Sequence, residues 1–128
     1  MKHAEDDEQK ALMEWASMAS IDGIRVSDYL FAIPNGGKRN PREAARLKGL
    51  GVKAGVSDLF LPVARGGYHG LWIEMKSKNG KASKAQTEWL IKMRDQGYAA
   101  VLCFGWISTK STIKDYLEYK LLRLIPCP

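Results

Sequence analysis

Two short apolar stretches with charges at matching ends constrain this chain more than any other feature. Residues 55–62 read Gly-Val-Ser-Asp-Leu-Phe-Leu-Pro, and residues 70–76 read Gly-Leu-Trp-Ile-Glu-Met-Lys. The residues between them, Val-Ala-Arg-Gly-Gly-Tyr-His, are turn-like. If the two stretches pair as a hairpin, Asp58 at the start of the first comes close to Glu74 and Lys76 at the end of the second. Strand alternation then sends Glu74 and Lys76 to one face and Met75 to the other. Met75 packs in the core while its backbone carbonyl stays beside the charges. Two neighbouring carboxylates raise each other's proton affinity, and an unpaired buried charge is costly. The pair therefore needs a cation nearby or an exposed sheet edge.

The totals bound the rest. A chain of 128 residues fits one domain spanning 1–128, and 45% apolar residues is ordinary for a globular protein. A net charge of +6 favours a polyanionic partner such as nucleic acid. Two cysteines make no disulfide framework; Cys103, in an apolar run, reads as a core residue. The two histidines, His3 and His69, offer no zinc-site spacing. The first eight residues are too charged for a signal peptide, and no apolar run approaches the roughly 20 residues of a membrane helix. The expectation is a soluble cytoplasmic protein without membrane contact.

Along the chain, residues 5–19 show helical spacing of Ala11, Leu12, Trp15, Ala16 and Ala19. Asp22-Gly23 marks a turn, and residues 29–33 are a short strand candidate. Pro34-Asn35-Gly36-Gly37-Lys38-Arg39 breaks regular structure and forms a cationic loop whose glycines let backbone approach a phosphate. Asn40-Pro41-Arg42-Glu43 starts a helix over residues 41–50, and Ser83-Lys84-Ala85-Gln86 starts another reaching residue 96. Residues 98–104 are predicted as a central buried strand. A last helix is expected over 108–120, and a small edge strand over 121–125. The order α, β, α, β, β, α, β, α predicts an α/β fold, a mixed central β-sheet flanked by helices.

Two carboxylates, a carbonyl and an ammonium on one sheet face suit magnesium, a hard ion that takes oxygen ligands. Beyond this geometry, Asp58 followed after fifteen residues by Glu74-Met75-Lys76 resembles the core of the PD-(D/E)XK nucleases, which have a restriction-endonuclease-like fold. Taken with Ile33-Pro34-Asn35-Gly36-Gly37, the run from Gly51 to Leu59 and Ser83-Lys84-Ala85-Gln86, the pattern resembles a stand-alone VRR-NUC domain of phage or prophage type. The resemblance covers residues 5–106. It implies metal ligation by Asp58, Glu74 and the Met75 carbonyl, and a catalytic Lys76. Gln86 matches a family glutamine near the active site. An acid from the first helix is also implied, Glu5 or Glu8, with Glu5 the better fit as a metal ligand. The family's proline before the aspartate is Ser57 here.

The implied activity is magnesium-dependent hydrolysis of DNA, with manganese able to substitute, leaving 5′-phosphate and 3′-hydroxyl ends. Holliday junction resolvase-like cutting of branched DNA by a homodimer, in the cytoplasm of a bacterium or a phage-infected host, is the reading the resemblance favours. The alternatives are a flap or linear-DNA nuclease and a basic DNA-binding protein without catalysis. Asn35, Gly36, Gly37, Lys38, Arg39, Arg42, Arg46, Lys48, Lys53, Lys78, Lys81 and Lys84 are predicted to hold phosphates, fixing position and not base sequence.

Overall fold

The computed structural model describes residues 2–34 and 40–120. Helix α1, Lys2–Met18, buries Leu12 and Ala16 on its inner stripe, with Trp15 and Ala19 packed beside them. A two-residue hairpin follows, β1 (Ser20–Ile21) and β2 (Ile24–Arg25). Asp22 and Gly23 join them with positive φ values of 50° and 79°, the mirror-image turn whose twist matches a hairpin. A 3-10 turn at Val26–Asp28 leads to β3, Phe31–Ala32. This strand is shorter than the expected 29–33, because Tyr29 and Leu30 both donate their N–H groups to the Val26 carbonyl.

Helix α2, Pro41–Gly49, begins where the sequence predicts: the Asn40 side chain accepts the Glu43 N–H at 2.7 Å, and Leu50 is already the C-cap. It buries none of its residues. The central hairpin is β4, Leu59–Leu61, and β5, Leu71–Lys76, with Leu59 opposite Ile73 and Leu61 opposite Leu71. Helix α3, Lys84–Asp95, has the full reciprocal capping box of Ser83 and Gln86. Gly97 follows with a φ of +91° and turns the chain into β6, Ala99–Phe104. β6 runs parallel to β5 over all six of its residues. Helix α4, Gly105–Leu117, closes the described fold.

The main sheet has the order β3-β4-β5-β6. β6 is therefore the last strand of the ladder among the described residues, not a central one as its apolar sequence predicts. Its burial has another cause, helices on both faces. Ala100 and Leu102 pack with Leu90 of α3, while Val101 and Cys103 join Ile113 of α4 and Leu12 of α1. A strand covered on both faces reads as a continuous apolar run wherever it sits in the order. Helix α4 also starts three residues earlier than residue 108, for a reason that lies in α1. The strand expected over 121–125 lies outside the described residues. No helix among the described residues is long and apolar enough to cross a membrane.

Candidate active site

Strand β5 is the scaffold of the site. The β4–β5 register ends at the Leu59–Ile73 pair. Just beyond it, the Met75 N–H donates to Asp58 Oδ2 at 3.0 Å, so a carboxylate takes the place of a strand. A residue in an extended strand points its N–H and C=O to the same side. The Met75 carbonyl therefore faces the side where Asp58 lies. The Asp58 backbone carbonyl accepts the Ile33 N–H at 2.7 Å, which ties the residue to the end of β3 as well. Ser57, before it, is fully buried, and its hydroxyl has no hydrogen-bond partner.

Glu74 is 1% exposed, among the most buried side chains of the protein. The Lys76 ammonium lies 3.7 Å from Glu74 Oε2, while Glu74 Oε1 has no partner. Burial, then the hydrogen bond and charge of Asp58, and then the charge of Glu5 push the Glu74 carboxyl up to about 9, against the opposing pull of Lys76. Glu74 therefore holds a proton more tightly than an ordinary carboxyl does. The stem of Lys76 is walled in by the turn that follows β5. A Cβ on Gly80 would lie 3.2 Å from Lys76 Cβ and 3.4 Å from Cδ. As predicted from alternation, Met75 packs in the main core while Glu74 and Lys76 meet on the opposite face.

The two acids of α1 part company. Glu5, in the first turn, contributes its charge to the surroundings of Glu74. Glu8 Oε1 instead accepts the Trp106 N–H at 3.2 Å, across 98 residues of sequence. Phe104, the N-cap of α4, makes no side-chain capping bond, so Glu8 serves a helix to which it does not belong. A carboxylate there complements the helix dipole. Gly105 makes room for it: with φ at +82°, its missing Cβ would stand 3.0 Å from Glu8 Oε1. No local sequence signal announces this cap, and it explains why α4 starts at Gly105.

Gln86 spends its side-chain oxygen on the Ser83 N–H at 2.8 Å, which leaves its amide hydrogens for any role at the site. Lys78, Lys81 and Lys84 are exposed on the turn and helix start that follow Lys76. Arg42, Arg46, Lys48 and Lys53 are exposed on and after α2, with Arg46 held by both carboxylate oxygens of Glu43 at 2.9 Å. Asn35, Gly36, Gly37, Lys38 and Arg39 lie outside the described residues.

Among the described residues no three His, Cys, Asp or Glu side chains converge on one point. Two carboxylates and a carbonyl remain, all oxygen, with one buried carboxylate oxygen unpartnered. That donor set fits a hard divalent cation, which completes its shell with water and substrate oxygens.

The family model for the VRR-NUC domain matches residues 5–106, from the α1 acid to the start of α4. The chain belongs to the VRR-NUC domain family. A solved structure described as a VRR_NUC domain protein is similar to it with a TM-score of 0.79 and 34% identity, covering 97% of this chain and 96% of that one. The comparison with curated proteins returned no match. The VRR-NUC domain is nuclease-like, and a nuclease domain implies DNA as substrate. The mixed sheet with its four helices is the fold that the resemblance predicts.

Proposed function

We propose that this VRR-NUC domain is a magnesium-dependent endonuclease that hydrolyses phosphodiester bonds in branched DNA, with manganese able to substitute. The observation that carries the reading is the buried, unpartnered Oε1 of Glu74, set beside Asp58 and Lys76. A fold that hides a carboxylate pair and leaves one oxygen unsatisfied destabilises itself unless something positive binds there. Asp58, Glu74 and the Met75 carbonyl would hold the ion, with Glu5 adding negative charge. When bound, it lowers the pKa of a coordinated water and offsets charge on the scissile phosphate.

The protein's own groups do the rest. The Met75 N–H holds Asp58 in one orientation before substrate arrives, so no ordering is needed at the moment of reaction. Lys76, confined by Gly80, presents its ammonium beside the carboxylates. There it donates hydrogen bonds to the attacking water or to a phosphate oxygen as negative charge develops. Gln86 and the lysines 78, 81 and 84 orient the backbone of the DNA. The expected products carry a 5′-phosphate and a 3′-hydroxyl. Cutting both strands of a four-way junction calls for two sites at fixed spacing, which a two-fold homodimer supplies.

The test is a nicking assay on four-way junction, flap and duplex DNA, in magnesium and in EDTA, with wild type and Lys76→Ala. Magnesium-dependent nicking that prefers the junction and is lost in Lys76→Ala supports the reading. Equal cutting of all three substrates leaves a nuclease without junction preference. DNA binding with no cutting in any condition leaves a binding protein. Affinity for duplex DNA should fall on a log–log plot against salt with a slope of about −0.9 for each phosphate neutralised.

A further inference from the structure

Phe104 is an aromatic residue in an unexpected place. It ends β6, whose other five residues are all buried, yet it is 45% exposed. The parallel register pairs it with Lys76, and Glu74 with Leu102. Registered residues in adjacent parallel strands face the same way, about 4.8 Å apart. The phenyl ring therefore stands one strand over from the lysine of the active site, on the same sheet face.

Two cavities meet at this ring. One, of about 560 Å³, is lined by Phe104 with Leu102, Ala82 and Thr87, and by Lys81, Lys84 and Glu88. The other, of about 330 Å³, has Phe104 beside Lys78, Glu8 and Trp106. Gly80, which walls the Lys76 stem, also lines the larger one. Both volumes fall in the range of small-ligand sites, roughly 300–1,000 Å³. The lining combines an exposed aromatic face, an apolar floor and three lysines against two acids. An apolar ligand alone would gain nothing from the lysines, and a bare phosphate would gain nothing from the ring. A nucleotide uses both, its base on the ring and its phosphates on the ammonium groups.

We infer that Phe104 is a stacking platform for an unpaired nucleotide next to the phosphate that is cut, with Lys78, Lys81 and Lys84 holding the flanking backbone. This rests on the endonuclease reading and adds how the site tells unpaired from paired DNA. Bases stacked inside a duplex hide their faces from the ring; a base freed at a branch point, a flap or an end offers one. Selection for branched DNA then begins within a single subunit, at the site itself.

The experiment measures binding in EDTA, where no cutting occurs, by fluorescence anisotropy of a labelled 12-nucleotide single strand and a 12-base-pair duplex. Removing one base–aromatic stack costs about 1–3 kcal/mol, so Phe104→Ala should weaken single-strand binding roughly tenfold and duplex binding less than twofold. Phe104→Trp should restore the single-strand affinity, and Lys81→Ala with Lys84→Ala should weaken both ligands. An unchanged melting temperature in each variant shows that the fold persists. Equal losses on both ligands, no loss on either, or a wild type that ignores the single strand overturns the inference. If wild type nicks junctions while Phe104→Ala discriminates as well as wild type, the platform fails and the endonuclease reading stands. A wild type that binds the single strand through Phe104 but never cuts in magnesium separates the two the other way.

Discussion

Glu74→Gln should stabilise the metal-free protein, and increasingly so as pH rises. The wild-type carboxyl moves from 4.5 to about 9 on folding. Its folded form binds the proton more tightly than its unfolded form. Between about pH 4.5 and 9 the native state then carries more protons, and stability must fall as pH rises through that window. The shift at about 1.4 kcal/mol per unit sets a ceiling near 6 kcal/mol, and local relaxation around Asp58, Lys76 and Glu5 brings the expected loss to about 3 kcal/mol. Glutamine has the same shape and does not titrate. In EDTA the two proteins should match near pH 5, and the variant should lead by about 3 kcal/mol at pH 9, or about 10 °C in melting temperature. Magnesium at about a thousand times Kd should reverse the order, since only the wild type gains the binding free energy of about 4.1 kcal/mol. Urea unfolding at pH 5, 7 and 9, with EDTA and with magnesium, measures all of this. Equal stability of the two proteins at pH 9 in EDTA, or a wild type that gains stability with pH relative to the variant, would refute the buried-acid argument.

The two acids of α1 should separate by assay. Glu8→Ala should lose about 1–2 kcal/mol of stability through the uncapped start of α4, with Glu8→Gln recovering most of it, both by thermal unfolding in EDTA. Glu5→Ala should leave metal-free stability within about 0.5 kcal/mol of wild type and reduce, without abolishing, the magnesium-induced rise in melting temperature. Tyr116→Phe removes a 2.6 Å hydrogen bond from its buried hydroxyl to the Val63 carbonyl and should cost about 1–2 kcal/mol by urea unfolding. Burial pushes that tyrosine up to about 12, so its contribution should persist through neutral pH and fade only as pH rises from about 10 towards 12. Gly55→Ala would set a Cβ 2.5 Å from the Ala85 carbonyl oxygen at a φ of +88°. On the order of 3 kcal/mol of destabilisation is expected, read as a lowered urea midpoint.

The parts of the site that lie close together along the chain are legible in the sequence. Side-chain alternation is strict, so counting assigns Glu74, Met75 and Lys76 to their faces, and the hairpin brings Asp58 to them. Ser83 and Gln86 announce their helix because a capping box is a contact between residues three apart. Gln86 also shows the limit of such reading: the same pattern that starts the helix occupies the side-chain oxygen of a residue the resemblance brings to the site. Strand order is not legible in β6. An apolar run records burial on both faces and carries no record of which neighbours supply it. Nor is the start of α4, since its cap comes from Glu8.

By itself the sequence determined a carboxylate pair, a carbonyl and a lysine at one end of a β-hairpin, because period-two alternation and turn chemistry act over a few residues. Only the tertiary structure decided that Glu8 caps α4 while Glu5 acts on Glu74 through its charge, and that Phe104 stands open beside Lys76. Both depend on how α1 and β6 settle against the rest of the fold. That placement comes from packing Leu12 and Ala16 in one core with Val101, Cys103 and Ile113. Such contacts span most of the chain, and their geometry follows from side-chain volumes filling a shared interior, which no local pattern encodes.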